Sequence, residues 1–442
     1  MKIRILGAGV ASATLALALA LAGCSSSGGG GGGSAASGSI KGQAITYWAT
    51  NQAASVSADQ KILMPEIKKF EQQTGVTVSL QVVPWANITP NTLSAAVSGK
   101  GPDVVNIGNT NATTFQATGG FYPFDGAALK QVGGTSKFVT SAFATAGAAG
   151  KTPTSLPLYG QVYGLFYNKK LFAAAHLTPP ATWEDLVADA KQLTVPGKNQ
   201  WGLVIPAGTV NVSMHLAFIT TSQNGGSPFT GSGAPDFTSA AMVNGVTRYI
   251  DLMSKDHVVN TSDVQDTDGT QALAKFAKGN IGMYFGQTGA TTGLAQDGMT
   301  SSQFGVVPIP PPAGGTGVDS FVAGTNISIF KSSQHLAADL AFVKFMTSAA
   351  EQEILNKAYG TLPVVKGVQA AAYANNSEQL KTWTEILADH ATPLPLVSTV
   401  EAFQTNVGGA VVALFAKAAT GGSVTAAEVK SALSTAQKKM AS

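Results

Sequence analysis

A run of aromatic residues near the middle of the chain has the composition of a surface that binds a small polar ligand. Tyr159, Tyr163, Phe166 and Tyr167 lie close together and are separated by glycines. Rings that alternate with bare backbone can stack on a ligand, and the glycines leave room for a hinge or for the ligand itself. The alternative is a buried strand in the core of an α/β domain, and composition alone leaves both interpretations open.

Polar residues at the ends of predicted strands form a second candidate surface. Residues 44–48 and 76–82 have strand patterns, and residues 59–74 between them place apolar residues at helical spacing. Strand, helix and strand in this order predict an α/β unit with a parallel sheet. Ligands bind beyond the carboxyl ends of the strands in such sheets, which indicates residues 48–51 and 106–109.

The alternation of helices and strands continues to the C-terminus. Thr182 with Asp185, and Thr425 with Glu428, have the spacing of capping boxes. Residues 126–153 are only weakly patterned and are expected to form helix and loop. Runs and periods of apolar residues predict strands at 201–203, 281–285, 304–312 and 320–330, and helices around 186–193, 242–253, 273–276, 336–346 and 400–414.

The N-terminus resembles the signal of a bacterial lipoprotein. Lys2 and Arg4 precede an apolar run, and Leu21-Ala-Gly-Cys24 follows it. Residues 1–23 are therefore expected to be a signal peptide, Cys24 to be lipidated, and residues 24–43 to be a flexible Ser/Gly tether. The alternative is a simple secretory signal with an incidental cysteine. Cys24 is the only cysteine in the chain, so an intrachain disulfide is excluded.

Composition narrows the classes of function. The chain has 442 residues, a formal net charge of +3 and 12% charged residues. This length predicts two or three domains, and the low charge argues for a folded body and against a charge-rich disordered protein. Nothing in this balance attracts nucleic acid.

Read in order, these segments resemble the extracellular solute-binding proteins of bacterial ABC importers, in the carbohydrate-binding family that includes maltose-binding protein. The resemblance runs from about residue 45 to residue 363. It rests on seven motifs in the order of the family: the lipobox at Cys24, the Pro-Asp-Val-Val strand within 100–105, Tyr-Gly-x-x-Tyr-Gly-Leu-Phe-Tyr-Asn-Lys at 159–169, Pro-x-Thr-Trp-Glu-Asp-Leu at 180–186, Phe-x-x-Gly-x-x-x-Met at 276–283, Phe-Gly-Val-Val-Pro at 304–308 and Phe-Lys-x-Ser at 330–333.

The resemblance implies an α/β, two-lobed fold of the periplasmic-binding-protein type, in which each lobe is a mixed sheet flanked by helices and several hinge crossovers join the lobes. It implies a first lobe of residues 44–160 and 323–365, and a second of 161–322 and 366–442. A sugar bound in the cleft would close the lobes for recognition by the permease subunits. A monomer held by its lipid at the extracytoplasmic face of the membrane is expected, with no cofactor, metal or nucleic acid.

Relatives of this kind place aromatic faces on the apolar side of a sugar and amides on its hydroxyl groups. By position, the ligand-binding candidates are Trp48, Asn51, Trp85, Asn106, Asn109, Tyr159, Tyr163, Phe285, Gln287, Asn326 and Tyr359. For the tryptophans the alternative is a core position, and for the asparagines it is the capping of turns. The first crossover is expected at 159–163, and the residues from Phe166 onward are expected to be scaffold.

One motif of the family is missing. Many relatives have Gly-Pro-Trp after the Met-containing strand, whereas this chain has Phe285-Gly-Gln-Thr288. Gln287 is then expected to form a hydrogen bond and Phe285 to stack, and the identity of the sugar stays open.

Two rival functions remain, a lipid-anchored carbohydrate-active enzyme and a binding protein for a non-sugar solute. Against an enzyme, the five histidines show no metal-ligand spacing and there is no Gly-x-Ser-x-Gly elbow, although a glycosidase carboxylate pair remains open. For a calcium loop at 263–269, Val264 and Lys275 stand where ligands are required, so the segment is interpreted as the start of a helix. For a binding protein for a charged solute, the candidate residues are mostly neutral.

Overall fold

Two mixed β-sheets carry the fold in a computed structural model of the chain, which describes residues 39–440. The strands are β1 (Ala44–Thr50), β2 (Thr77–Val83), β3 (Val104–Gly108), β4 (Leu156–Gln161), β5 (Tyr163–Asn168), β6 (Trp201–Val204), β7 (Ile281–Gln287), β8 (Phe304–Val307), β9 (Ser320–Phe321), β10 (Ala323–Ile329) and β11 (Ala391–Thr392).

Helices alternate with these strands along the chain. They are α1 (Val56–Thr74), α2 (Trp85–Ser98), α3 (Ala112–Thr118), α4 (Gly126–Gln131), α5 (Thr140–Phe143), α6 (Lys169–Ala174), α7 (Trp183–Leu193), α8 (Val210–Gln223), α9 (Ala240–Ser254), α10 (Gly269–Ala277), α11 (Ala290–Gln296), α12 (Leu336–Met346), α13 (Ala349–Tyr359), α14 (Ser377–Glu385), α15 (Val400–Ala419) and α16 (Ala426–Lys438).

The first sheet has the strand order β2-β1-β3-β10-β4. Strands β1, β2 and β3 are parallel, whereas β10 runs antiparallel to both β3 and β4. Apolar clusters cover both faces, one around Tyr47 and Phe342 and the other around Ile107 and Phe115. The sheet is therefore buried between two layers of helices, as expected for a largely parallel sheet.

The second sheet has the order β6-β7-β5-β8, in which β6 and β7 are parallel and β5 is antiparallel to both neighbours. Alternate residues of β5 enter different cores: Tyr163 and Leu165 join one cluster, and Phe166 joins the other. Two separate sheets, each mixed and covered by helices, confirm the predicted two-lobed α/β fold.

The capping boxes predicted from the sequence are present. The Thr182 hydroxyl accepts a hydrogen bond from the Asp185 amide at the start of α7, and Thr425 with Glu428 begins α16 in the same way. Asp268 caps α10, so the segment that resembled a calcium loop does begin a helix. Lys275 pairs with Asp263 at 2.8 Å and with Asp266 at 2.7 Å. The lysine that breaks the calcium pattern is thus the cation that these carboxylates bind.

Candidate functional site

Two adjacent chain segments lead out of the first sheet toward the core that covers the second sheet. Strand β4 belongs to the first sheet and β5 to the second, and Val162 alone separates them. Val322 separates β10 of the first sheet from β9, which pairs with β11 in a two-stranded parallel sheet and places Phe321 in the cluster that covers the second sheet. Ala323 lies opposite Gln161. The Tyr163 amide donates to the Ser320 hydroxyl at 2.7 Å, which ties the two crossovers together. Two adjacent extended segments therefore connect the two lobes.

Glutamine side chains meet at the carboxyl end of β1, beside these segments. The Gln52 amide donates to the hydroxyls of Thr50 at 2.7 Å and Thr325 at 3.0 Å. Its carbonyl oxygen accepts from Gln161 Nε2 at 3.2 Å. Both glutamines are partly exposed, and a methyl group on Gly289, which follows β7, would lie 3.6 Å from Gln161 Oε1. These glutamines are the carboxamides that lie where a ligand is expected to bind.

Trp48 and Trp85 flank the same corner of the first sheet. Both are partly buried and pack on the cluster that contains Ile107 and Phe115. The backbone N–H of Asn51 donates to the Val83 carbonyl at 3.1 Å. This bond fixes the end of β1 beside the start of α2, where Trp85 lies. Each indole thus packs on the core and stays partly exposed to solvent.

Asn51 is bonded to protein groups. Its Nδ2 donates to Asp59 Oδ2 at 2.5 Å and to the Ala53 carbonyl at 2.6 Å. The Asp59 side chain is buried, its burial raises the pKa of the carboxyl, and the Tyr359 hydroxyl lies close to it. Asn51 and Tyr359 therefore hold a buried carboxyl at the strand end, and the sequence did not reveal this arrangement.

The other predicted asparagines are fully buried. Asn106 lies within β3 beside the Tyr47 hydroxyl. Asn109 Nδ2 donates to the Val322 carbonyl at 3.0 Å, and Asn326 Nδ2 donates to the Thr145 carbonyl and to Ser155 Oγ, both at 2.9 Å. Val322 lies between two strands, and the Asn109 side chain supplies the hydrogen-bond donor for its backbone carbonyl.

The two tyrosines of the first crossover are placed in different cores. Tyr159 is buried below the first sheet, with its ring 5.3 Å from that of Tyr359 in an edge-on arrangement. Tyr163 is buried on the second sheet, and its hydroxyl lies 2.8 Å from His215 Nδ1. Burial lowers the pKa of His215 to about 3, so the imidazole is neutral and forms an ordinary hydrogen bond with the tyrosine.

Phe285 and Gln287 end β7 but face different surroundings. The Phe285 ring is buried and lies parallel to that of Trp183, with 6.0 Å between the centroids. Gln287 is partly exposed and pairs with Tyr163 across the ladder. The Met-containing strand therefore ends in a partly exposed carboxamide, and its last aromatic ring, Phe285, is buried.

The expectation that glycines between the aromatic residues leave free space is wrong at two positions. A methyl group on Gly164 would lie 2.8 Å from the Trp383 ring, and one on Gly160 would lie 3.0 Å from the Leu362 carbonyl. Protein groups already occupy this space. These glycines permit close packing of Trp383 and of the chain after α13.

A small cavity of about 20 Å³ lies against the crossovers and has room for about one water molecule. Of the predicted ligand-binding residues it brings together Asn109, Tyr159 and Asn326, with Gln161 and Leu387 among the other residues of its wall. Trp48, Trp85, Phe285 and Gln287 lie outside this wall. The cavity is therefore a feature of the hinge, and the ligand-binding candidates with partly exposed side chains lie at the strand ends.

Residues 39–440 contain neither a candidate metal site nor a candidate membrane-spanning helix. Within that range no cluster of three or more His, Cys, Asp and Glu side chains could hold a metal ion. None of the helices there combines the length and the apolar character needed to cross a membrane. Cys24, the predicted signal peptide and most of the predicted tether lie outside the described residues.

A family model identifies the class of protein to which this fold belongs. The family model described as bacterial extracellular solute-binding protein matches residues 53–353, more than half of the chain. The chain belongs to this family. Members of the family are extracellular binding proteins, so an extracytoplasmic location and a role in binding follow at this level.

Relatives and solved structures agree with this assignment. The multiple sugar-binding protein of Streptococcus mutans is 26% identical, over 74% of this chain and 77% of its own. The diacetylchitobiose binding protein of Streptomyces coelicolor is 24% identical over 83% and 84%. A Thermotoga lettingae ABC transporter solute-binding protein bound to α-D-tagatose superposes with a TM-score of 0.78, at 20% identity, covering 90% of this chain and 100% of that one.

Sequence reasoning missed several polar residues that lie either at the strand ends of the first sheet or in the contact between α15 and the segment that follows β3. They are Gln52, Gln161, Asn111, Glu401 and Gln404, and Gln404 donates to Asn111. A signal was available for Gln52, because it directly follows Asn51 at a predicted strand end. The signal for Gln404 was its place within an apolar helical stripe, where a buried amide requires a partner from another element.

Proposed function

We propose that this protein captures a sugar, or a related neutral polyol, between its two lobes and delivers it to the membrane subunits of an ABC importer. The observation that supports this most directly is the set of partly exposed side chains at the strand ends. These are Gln52, Gln161 and Gln287 with Trp48 and Trp85. A pyranose has an apolar face and a rim of hydroxyl groups, which indoles and carboxamides complement.

The names of the relatives support the same ligand class. The Streptococcus mutans relative is a multiple sugar-binding protein, and a solved ABC substrate-binding protein of Listeria monocytogenes with a TM-score of 0.76 is in complex with cycloalternan. The length of the sugar is left open, because mono-, di- and oligosaccharide ligands all present this surface.

The division of the chain between the lobes is part of the proposal. Residues 44–160 and 323–365 form the first lobe, and residues 161–322 and 366–442 form the second. The single-residue breaks at Val162 and Val322 support the first two boundaries. Tyr373 packs in the cluster of the second sheet that contains Phe166, which supports a third crossover after residue 365. Ligand that contacts both lobes shifts them toward the closed state.

A screen of sugars tests the function. Mature protein is mixed with single mono-, di- and oligosaccharides and polyols, its melting temperature is measured, and each hit is titrated by calorimetry. We expect saturable binding of at least one sugar with one ligand per chain, and no new product by chromatography. The proposal would be overturned if amino acids or metal complexes bound and sugars did not, or if the sugar were consumed.

We propose in addition that the protein is monomeric and is held at the membrane by a lipid on Cys24. The lipobox resemblance supports the anchor. Expression with a labelled fatty acid should label the wild-type protein and leave Cys24→Ser unlabelled, and light scattering of the mature chain should give the mass of one copy. Equal labelling of the two proteins would contradict the anchor.

A further inference from the structure

Hydrogen bonds join the two lobes directly on the side of the cleft formed by α3 and α15. Thr113 Oγ1 donates to the Val397 carbonyl and Thr114 Oγ1 to the Ser398 carbonyl, both at 2.8 Å. Thr110 Oγ1 lies 3.1 Å from Gln404 Oε1 and donates to it. Three hydroxyls of one short segment thus bond to one segment near the C-terminus.

Two amides complete this contact. Gln404 Nε2 donates to Asn111 Oδ1 and, at 3.1 Å, to Glu401 Oε2. Asn111 Nδ2 in turn donates to Thr89 Oγ1 on α2 at 3.0 Å. Asn111 and Gln404 are both buried, so the hydrogen bond between them is stronger than it would be at an exposed surface, whereas the bond from Thr114 lies at the solvent-exposed edge of the network.

The partners belong to different cores. The segment 110–114 continues from β3, and its neighbours Ala112 and Phe115 pack on the first sheet. Val400 and Phe403, which lie within the other segment (397–404), pack in the cluster that covers the second sheet. The contact is therefore made between lobes and is not required to complete either sheet.

We propose that residues 110–114 and 397–404 form a clasp that holds the lobes together in the protein without ligand. The proposal goes beyond the proposed function, because it concerns the balance of open and closed states before any sugar binds. When part of the protein is already closed, less of the binding free energy is used to close the lobes. The clasp therefore raises the apparent affinity for the ligand by the same factor by which it raises the closed fraction of the ligand-free protein.

Glu401 makes the clasp sensitive to pH. Burial raises the pKa of its carboxyl from 4.5 to about 7, against the opposing effect of hydrogen bonds from Thr405 and Asn111. Because the closed state holds the proton more tightly than an exposed carboxyl would, closing takes up a proton. The closed state is therefore favoured at low pH, and the closed fraction falls as pH rises from 4.5 toward 7.

Other ionisable groups on the elements packed against α15 bind partners of their own or lie away from the clasp. His215 bonds Tyr163, Arg248 bonds Gln223 and Asp263 bonds Lys275. Besides burial, the groups that act on the Glu401 carboxyl are the hydrogen-bond donors Thr405, Asn111 and Gln404, none of which carries a charge. The remaining groups on these elements are Tyr249, Asp251, Lys417, Glu428, Lys430 and Lys438.

Small-angle scattering of the ligand-free protein tests the clasp. The double variant Thr113→Val with Thr114→Val removes two interlobe donors and keeps the shape of the side chains. Thr118→Val is the matched control, because Thr118 Oγ1 donates at 2.6 Å to Phe115 within its own helix. We expect a larger radius of gyration for the double variant than for the wild type, an unchanged radius for the control, and similar melting temperatures.

The result that overturns the clasp is an equal radius for wild type and double variant. Amide hydrogen exchange at 110–114 gives a second readout, since loss of the clasp increases exchange there without global unfolding. A failure to bind any sugar would leave these ligand-free measurements intact, so the clasp and the proposed function fail separately.

A pH series from 5 to 8 tests the role of Glu401. The wild-type radius should rise with pH, whereas Glu401→Gln, which removes the charge and keeps a side chain of nearly the same shape, should have a radius that does not depend on pH. A pH response of the same size in both proteins would contradict the role of the carboxyl.

Discussion

Asn109 and Asn326 at the hinge carry the same carboxamide as Gln52 and Gln161 at the strand ends, but the two pairs differ in exposure and partners. The asparagines are buried, and their Nδ2 atoms donate to backbone and hydroxyl oxygens of the protein. The glutamines are partly exposed and bond each other and threonine hydroxyls. A buried amide is committed to the fold, whereas a partly exposed one can exchange its partner for a ligand hydroxyl.

This difference separates the predicted binding residues into two groups. Residues that hold the hinge should affect folding when changed, and residues at the strand ends should affect affinity. The residue between these groups is Asn51, which is partly exposed yet bonded to a buried carboxyl. The following variants test the separation, from the largest expected effect to the smallest.

Asn326→Ala should destabilise the protein by about 3 kcal/mol, because the Thr145 carbonyl and Ser155 Oγ lose a donor in a buried site. Urea unfolding followed by circular dichroism measures this loss. Asn91→Ala, at an exposed position of α2, is the control and should change stability little. Normal stability of Asn326→Ala with a loss of ligand binding would place Asn326 in the ligand site and break the comparison.

Asn51→Ala should cost about 1 to 2 kcal/mol at pH 7 and less at pH 4. Burial raises the pKa of Asp59, so its ionised form is less favoured in the folded protein and stability falls as pH rises above the ordinary value of 3.8. Removal of the Asn51 donor raises the pKa of Asp59 further, so stability continues to fall to a higher pH than in the wild type. Urea unfolding at pH 4, 5.5 and 7 measures the loss of stability. A loss that does not change with pH would contradict the role of Asn51 as the partner of the Asp59 carboxyl.

Gln52→Leu should weaken sugar binding about tenfold, which corresponds to about 1.4 kcal/mol, by removing one amide from the cleft. Calorimetry with the sugar found in the screen measures the change, and the melting temperature should stay near that of the wild type. Gln72→Leu, on the exposed face of α1, serves as the control for the added apolar surface. Unchanged affinity of Gln52→Leu would remove the strand end of β1 from the site.

Gln287→Leu should have the smallest effect, a loss of a few-fold in affinity, because this side chain reaches the cleft from the second lobe alone. If the loss exceeds that of Gln52→Leu, the second lobe supplies the dominant hydrogen bond. The same titration decides between the two lobes, with the Gln72→Leu control unchanged.

Local patterns in the sequence predicted most elements of the fold. The capping boxes at Thr182 and Thr425 and the strand at β7 needed only neighbouring residues. Helix α8 was not predicted, because nearly all of its residues from Ser213 to Gln223 are buried and no polar face marks its period. Helix α2 was also missed, since Pro90 lies inside it.

The candidate site was predicted less completely, for a physical reason. Sequence shows which residues end a strand, but the direction of a side chain and its partner depend on elements far along the chain. Phe285 faces Trp183 in the core, whereas Gln287, two residues later, is partly exposed. Sequence spacing placed both after the Met-containing strand and could not distinguish their surroundings.

By itself the sequence determined the family, the two-lobed α/β class and the residue types at the strand ends, because these depend on local pattern and composition. Only the tertiary structure decided that Tyr159 and Tyr163 point into separate cores, that Gly164 accommodates Trp383, and that Asn111 meets Gln404. Asn111 and Gln404 lie 293 positions apart in the chain. Contacts over such distances are set by how the two sheets and their helices pack, and no local pattern encodes them.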